Sequence, residues 1–368
     1  PELCEPGNLA GYSCTDFDYM GGELHCSADC RQLDFSGCTG YCGNGVIEGS
    51  EVCDGMSMPA ATCRDYLYTG GTLGCSMGCQ LSREACFSSW ERQNINTTGN
   101  IMAVHEAPDG SVFAVSFSGW VGLYDGASWQ QWQLTKDPML RTVFPFSSAD
   151  AWVGGNFGAL YHFDGAAWTK LAVSENIHIT GIWGSAPDDV YFCGFTSDAP
   201  SHAVVMHYDG VSWTDSLWVI DMANGFTFMS IHGRAPDDVR VVGYPFQVWH
   251  YDGAQWIQET PPANTADFRF VSAIGQTWVF AGYTDSGEGF IMQEENGIFS
   301  SIPIAAASSV VMVDGESLNE LWVLLENGSV LRQEPGGFRT ISPPVGGRVY
   351  SLRRAQNGTL WVGGANGA

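Results

Sequence analysis

Basic residues are what this 368-residue chain has least of: 15 Lys plus Arg stand against 40 Asp plus Glu, a formal charge of −25, and Lys136 and Lys170 are the only lysines. Nucleic acid is held by cationic side chains that neutralise phosphates, so the absence of a basic stripe excludes that partner, and an anionic bilayer surface would repel the chain. Long apolar runs are scarce as well. The longest, Ile302 to Val313, is interrupted by Ser308 and Ser309 and is too short to span a bilayer, so no membrane insertion is expected. No charged segment followed by an apolar one precedes Pro1, so an export signal has been removed or lies upstream. Also missing are a glycine-rich phosphate loop, a Gly-x-Ser-x-Gly elbow and a His-Glu-x-x-His pair, which removes the motif-defined hydrolases and nucleotide binders.

Cysteine is almost absent from the last three quarters of the chain, where only Cys193 occurs. The other eleven, Cys4, Cys14, Cys26, Cys30, Cys38, Cys42, Cys53, Cys63, Cys75, Cys79 and Cys86, all precede Trp90. Four of them recur at a spacing of 49 residues (Cys4 to Cys53, Cys14 to Cys63, Cys26 to Cys75, Cys30 to Cys79), and Cys38 to Cys86 spans 48. The surrounding text repeats too, with Gly21-Gly22-Glu23-Leu24-His25-Cys26-Ser27 matched by Gly70-Gly71-Thr72-Leu73-Gly74-Cys75-Ser76. Residues 1–41 and 42–87 are therefore two copies of one module, the first incomplete at its N-terminus. Such short modules bury little apolar area, so crosslinks must substitute for a core. Without histidines at ligand spacing the cysteines read as disulfides of unknown pairing rather than as a metal site, which puts the chain in an oxidising, extracellular or cell-surface compartment.

The run Cys42-Gly43-Asn44-Gly45-Val46-Ile47-Glu48-Gly49-Ser50-Glu51-Val52-Cys53-Asp54-Gly55, with the cysteines after it, resembles the cysteine-rich repeat of surface and secreted proteins of myxobacteria. The resemblance implies an extracellular spacer or display module and carries no catalytic residues.

A second repeat occupies residues 88–368. Its mark is an aromatic residue, in most copies behind an Asp-Gly turn: Trp90, Trp129, Trp168, Trp213, Trp256, Phe299 and Phe338, at intervals of 39, 39, 45, 43, 43 and 39 residues. Each unit reads as four short alternating runs with no helical stripe, which is the pattern of a β-propeller blade, and seven marks predict an all-β, seven-bladed β-propeller. The segments 184–190 (Gly-Ser-Ala-Pro-Asp-Asp-Val) and 233–239 (Gly-Arg-Ala-Pro-Asp-Asp-Val) resemble propeller repeats of the same bacterial surface proteins, and Leu360-Trp361-Val362-Gly363-Gly364 is similar to the second strand of sensor-type propellers. Trp90 supplies a fourth-strand mark before any first strand, so strand 88–95 is expected to close the last, incomplete blade. The cut repeats at both ends lead to the expectation of a longer natural chain or a strand supplied by a neighbouring copy.

No residue stands out as catalytic. The Asp-Gly turns are explained by their need for positive φ, and structural calcium there is the only ion the pattern leaves open; no other cofactor is expected. Compared with the sialidase-type Ser-x-Asp-x-Gly-x-Thr-Trp box, their spacing is one residue short. His162, His207 and His250 sit two residues before their turn aspartates, an arrangement that predicts one repeated hydrogen bond. His105 and His232 share a repeat position with Phe144 and Trp183, which predicts packing, and Cys193 replaces small residues of other blades. Loop length is more informative. Loops between second and third strands and between blades vary, and they emerge on one face, where binding is usually built. That face is expected to carry Trp132, His178, His202, Trp218, Phe226, Tyr244, Phe246 and Tyr283 beside Asp198, Asp215, Asp221, Asp267, Asp285 and Glu288. Aromatics next to carboxylates suit a glycan or a surface protein as ligand. The expected function is binding or adhesion at the cell surface. A polysaccharide-active enzyme using two of Asp198, Asp215, Asp221, Asp285 and Glu288, or a structural subunit of an appendage assembled from neighbouring copies, stands as the alternative.

Overall fold

The computed structural model describes every residue except 1–3, 6–7, 10, 18, 42–44, 48–50, 56, 60, 64–69, 77–78, 84–85, 88–89, 136–138, 199–200, 221–224, 261–266, 335, 342, 344, 346 and 368. The chain divides into two compact units, Pro1–Glu91 and Arg92–Ala368.

The first unit is built of short hairpins. Tyr19–Gly22 pairs with Cys38–Tyr41 and His25–Cys26 with Leu33–Asp34; Gly70–Gly71 pairs with Cys86–Phe87 and Gly74–Cys75 with Leu81–Ser82. The disulfides repeat in step: Cys4–Cys26 and Cys14–Cys38 in the first module, Cys53–Cys75 and Cys63–Cys86 in the second. Cys79 is also disulfide-bonded, whereas its counterpart Cys30 is free. Both occupy the left-handed region, at φ 53° and 56°, so even the backbone of the Cys-x3-Cys turn is duplicated. Cys42 lies outside the described residues.

The second unit contains six four-stranded antiparallel sheets, each meandering outward from an inner strand. The inner strands of these blades are Ile101–Glu106, Leu140–Ser147, Ile177–Ala186, Thr227–Ala235, Asp267–Ile274 and Val310–Gly315. A seventh inner strand, Val349–Arg354, pairs among the described residues only with Leu360–Gly364. The expectation of seven blades is thus corrected: six are complete, and a two-stranded sheet occupies the remaining sector. The closing strand at 88–95 is corrected as well, because Trp90–Ile95 has no strand structure among the described residues. The physical reason is spacing. Neighbouring strands must lie about 4.8 Å apart to share hydrogen bonds, so a fourth strand has nothing to pair with where no third one stands. Ile95 instead packs as a side chain against the buried cluster of Ile101, Val104, Val112, Ala114 and Trp120.

A blade is covered on both faces by its neighbours, which is why its second strand reads as a continuous apolar run. Val112–Ser116 and Leu321–Leu325 are buried at every position, whereas the outer strand Trp129–Gln133 is exposed at three of five. The core consists of seven clusters, one between each pair of neighbouring sheets. The cluster around Ile101, Val112 and Trp120 packs against Trp361 and so joins the last sheet to the first blade.

The Asp-Gly turns are held locally. In Asp125, Asp164, Asp209 and Asp252 one carboxylate oxygen accepts the backbone N–H groups two and three residues on, at 2.6–2.9 Å. These bonds hold the four carboxyls below their ordinary range. The recurring histidines bond within their own blades: His162 to Asp150 at 3.1 Å, His207 to Asp189 at 2.7 Å and His250 to Asp238 at 2.9 Å.

Candidate functional site

Inner strands begin, and second strands end, on the same face of the propeller, opposite the Asp-Gly turns. The second-to-third turn there exposes Phe117 in the first blade, Phe157 in the second, and Tyr244 and Phe246 in the fourth, with Trp218 near the end of the third blade's outer strand. All five are 40–50% exposed, and they are the exposed large aromatics of this unit among the described residues. On the Asp-Gly face the exposed large apolar residues are aliphatic, Val211 and Ile298. Phe157 and Phe246 both adopt φ 55°. Bulky residues avoid this left-handed region, at a cost of about 1–3 kcal/mol. Two such residues, exposed at equivalent turns, point to selection for what they present.

The structure sorts the sequence-derived residues. Tyr244 and Phe246 share one turn. His202 and Trp218 meet with ring centroids 5.9 Å apart, and His202 Nδ1 lies 3.5 Å from Thr196 Oγ1. His178 is buried, stacked on Phe195 at 4.9 Å and edge-on to Phe157 at 4.8 Å. Burial, and then the nearby Arg141, push its pKa down and favour the neutral ring. Tyr283 stands apart in the fifth blade, where its hydroxyl donates to Asp267 at 2.5 Å; that bond is the main reason its pKa is raised. Trp132 is corrected from surface to core: it is half-buried between the first two blades, 5.3 Å from Phe163 and 6.1 Å from Trp168. Phe226 likewise packs on the cluster between the third and fourth blades. Asp198 accepts from Asn176 Nδ2 at 2.6 Å, while Asp215, Asp285 and Glu288 are exposed and Asp221 lies outside the described residues. Phe117 and Phe157 were not singled out from sequence, because attention to loops of variable length passes over short turns of constant length.

A central channel of about 510 Å³ opens among the inner strands. Each of the seven inner strands skips one residue in its ladder at the equivalent place near this face: Met102, Arg141, Thr180, Met229, Arg269, Val311 and Tyr350. A bulge bends its strand and re-aims a side chain. Six of these seven residues line the channel. Toward the other end a second ring is formed by the residues paired with Phe113, Trp152, Tyr191, Arg240, Trp278, Trp322 and Trp361, namely His105, Phe144, Trp183, His232, Ala273, Asp314 and Arg353. His105 rests on Phe144 at 5.2 Å, and His232 stands between Trp183 and Trp278 at 6.3 and 6.1 Å. Burial, followed by the charge of Arg353, lowers the pKa of His232 to about 3 and that of His105 well below normal. Both rings are neutral packing elements at pH 7. Cys193 is buried with its thiol pushed up to about 12 by desolvation, which leaves it protonated and a poor nucleophile.

In the first unit the oxygens of Glu51 and Asp54 and the sulfur of Cys79 lie within 4.8 Å of one another, but Cys79 is in a disulfide and offers no thiolate.

No protein-family model and no curated protein matches the chain. Solved structures do. YCF48 bound to D1 peptide aligns with a TM-score of 0.58 at 13% identity, over 76% of this chain and 94% of that one. A catalytically inactive virginiamycin B lyase from Staphylococcus aureus with quinupristin aligns with a TM-score of 0.62 at 9% identity, over 76% and 96%. The WD40 β-propeller domain of Doa1 gives 0.57 at 12%, over 74% and 92%. At such identities the likeness shows the fold: this unit is a β-propeller.

Proposed function

We infer that the propeller is a binding module working outside the cytoplasm, carried on two disulfide-crosslinked modules, and that it engages a protein partner through the face bearing Phe117, Phe157, Trp218, Tyr244 and Phe246. The observation that carries this reading is the confinement of the exposed aromatic residues to one face. Large aromatics held in solvent cost hydration, and interface anchors are drawn from this class. Three of the five are phenylalanines, which have no polar atom for sugar hydroxyls and so favour protein over glycan. Trp218 beside His202 is the corner that favours a glycan, and it keeps that ligand as the second reading. Multiple disulfides suit an extracellular or surface setting, and no described helix is long and apolar enough to cross a membrane. An adhesive role at the cell surface, in the extracellular setting that the myxobacterial resemblance implies, belongs to the same proposal. For the enzyme alternative two carboxylates must face each other across a cleft; Asp198 and Asp267 are tied to Asn176 and Tyr283 in separate blades. Capture from envelope extract together with a glycan array tests the reading. Loss of capture in Phe157→Ser and Phe246→Ser variants that still fold is the expected result, and turnover of a polysaccharide without binding in either assay would contradict it.

A further inference from the structure

Five of the six cysteines of the second module have a counterpart 49 or 48 residues earlier, and Cys42 alone has none. The first module is therefore one cysteine short, and the shortage falls on Cys30. Cys30 carries no disulfide, whereas its counterpart Cys79 is bridged. In other respects the two turns are copies. The N–H of Cys30 donates to Ser27 O at 2.9 Å and that of Cys79 to Ser76 O at 3.0 Å; Ser27 N–H donates to Gln32 O at 3.0 Å and Ser76 N–H to Gln80 O at 2.9 Å. With the same left-handed backbone at both cysteines, one local structure presents two sulfurs alike, and only one of them is bonded.

What differs is the cover. Cys79 is fully buried and Cys30 is partly exposed. Chain leading into the second module lies against Cys79, whose carbonyl accepts from the N–H groups of Val52 and Cys53 at 3.0 and 3.4 Å. The other free thiol, Cys193, is no partner for Cys30: it is buried between the third and fourth blades of the propeller, and desolvation keeps it protonated. In an oxidising compartment an accessible thiol left over from a disulfide framework is reactive.

We propose that Cys30 is a covalent attachment site, which takes the cysteine heading a polypeptide segment of the kind Cys42-Gly43-Asn44-Gly45. Disulfide geometry demands Cα atoms about 4.4–6.8 Å apart, so the incoming segment lies along the Cys30 turn. The bond forms by exchange. The incoming cysteine first attacks an external disulfide, releasing one reagent thiol and forming a mixed disulfide; the Cys30 thiolate then attacks that cysteine's sulfur, and the second reagent thiol leaves. Two protein thiols are oxidised and one external disulfide is reduced to two thiols, which take up both protons. Two sources share this chemistry: another module of the same polypeptide, and a module of a separate chain. The site is independent of the aromatic face.

Peptide mapping of the protein isolated from its producing cells, alkylated in denaturant with and without reductant, tests the site. Cys193 should be alkylated in both samples and Cys30 only after reduction, with the Cys30 peptide joined to one headed by Cys-Gly in the non-reduced map. Release of a second chain on reduction assigns a separate polypeptide; an intact mass without such release assigns the same one. A complementary assay offers the 368-residue chain a peptide with the sequence of residues 42–50 as its glutathione mixed disulfide. Capture at Cys30 should exceed that of a shuffled peptide with the same cysteine by about 10-fold or more, and Cys30→Ser should capture neither. Alkylation of Cys30 without reductant in the isolated protein, a map in which Cys30 carries only a small thiol, or equal capture of the two peptides would overturn the proposal.

Discussion

The two units solve the same problem by opposite means. Among the described residues of the first 91, the buried apolar set is Cys4, Cys14, Cys53, Cys63 and Cys79 with Leu24 alone beside them, whereas the propeller buries dozens of aliphatic and aromatic side chains in its seven inter-sheet clusters. One unit restricts its unfolded chain; the other removes apolar surface from water. The contrast teaches where each is vulnerable.

Reduction should separate the two most sharply. The described disulfides close loops of 22 to 24 residues, each contributing about 3 kcal/mol in the chain-entropy account. Reductant should therefore abolish protease resistance of the first unit while the propeller's calorimetric transition stays in place; a common shift of both would break the comparison. The converse is Trp152→Ala. This side chain is 2% exposed and touches His162, Phe192, Tyr208 and Trp213 at 4.3–5.8 Å, so its removal should cost the propeller about 3–5 kcal/mol and leave the disulfides intact by mass mapping.

Acid provides a third, smaller separation. The pKa of His232 is about 3 in the fold against an ordinary 6.5, and that of His105 is depressed in the same direction. The unfolded chain then binds the extra protons, so stability is complete above pH 6.5 and declines as pH falls toward 3. Thermal melts at pH 7, 5 and 4 should show this decline in the propeller transition. His105→Phe and His232→Trp, which copy the residues at this position in the second and third blades, should flatten it. Smallest is Asp109, which bridges two blades by accepting from the backbone N–H of Ser148 at 2.6 Å. Partial burial raises its pKa, but the bonds from Ser111 and Ser148 outweigh that and hold it at about 2. Asp109→Asn should slightly lower the melting temperature above pH 4, and the difference from the unaltered protein should vanish toward pH 2.

The repeats were legible because they repeat: the 49-residue cysteine offset and the Asp-Gly-x-x-Trp marks needed no geometry. That the last blade is incomplete was legible too, but its closing strand was misassigned, since Trp90 carries the mark of an outer strand without the third strand that such a strand pairs with. Trp132 was misread because alternation along an outer strand does not say which side meets the next blade. Arg141 and Arg269 were invisible for a different reason. A bulge is a property of two paired strands, and no residue in either sequence announces that one position will be skipped.

The central claim is that binding belongs to the aromatic face. Its most direct test compares two multiple variants in one binding assay against envelope extract and a glycan array: Phe157→Ser with Trp218→Ser and Phe246→Ser on that face, and Val211→Ser with Ile298→Ser on the opposite one. Each anchor residue lost from an interface centre costs about 2 kcal/mol or more, so the first variant should lose binding while the second retains it, with both melting as the unaltered protein does. Retention by the first and loss by the second would contradict the account.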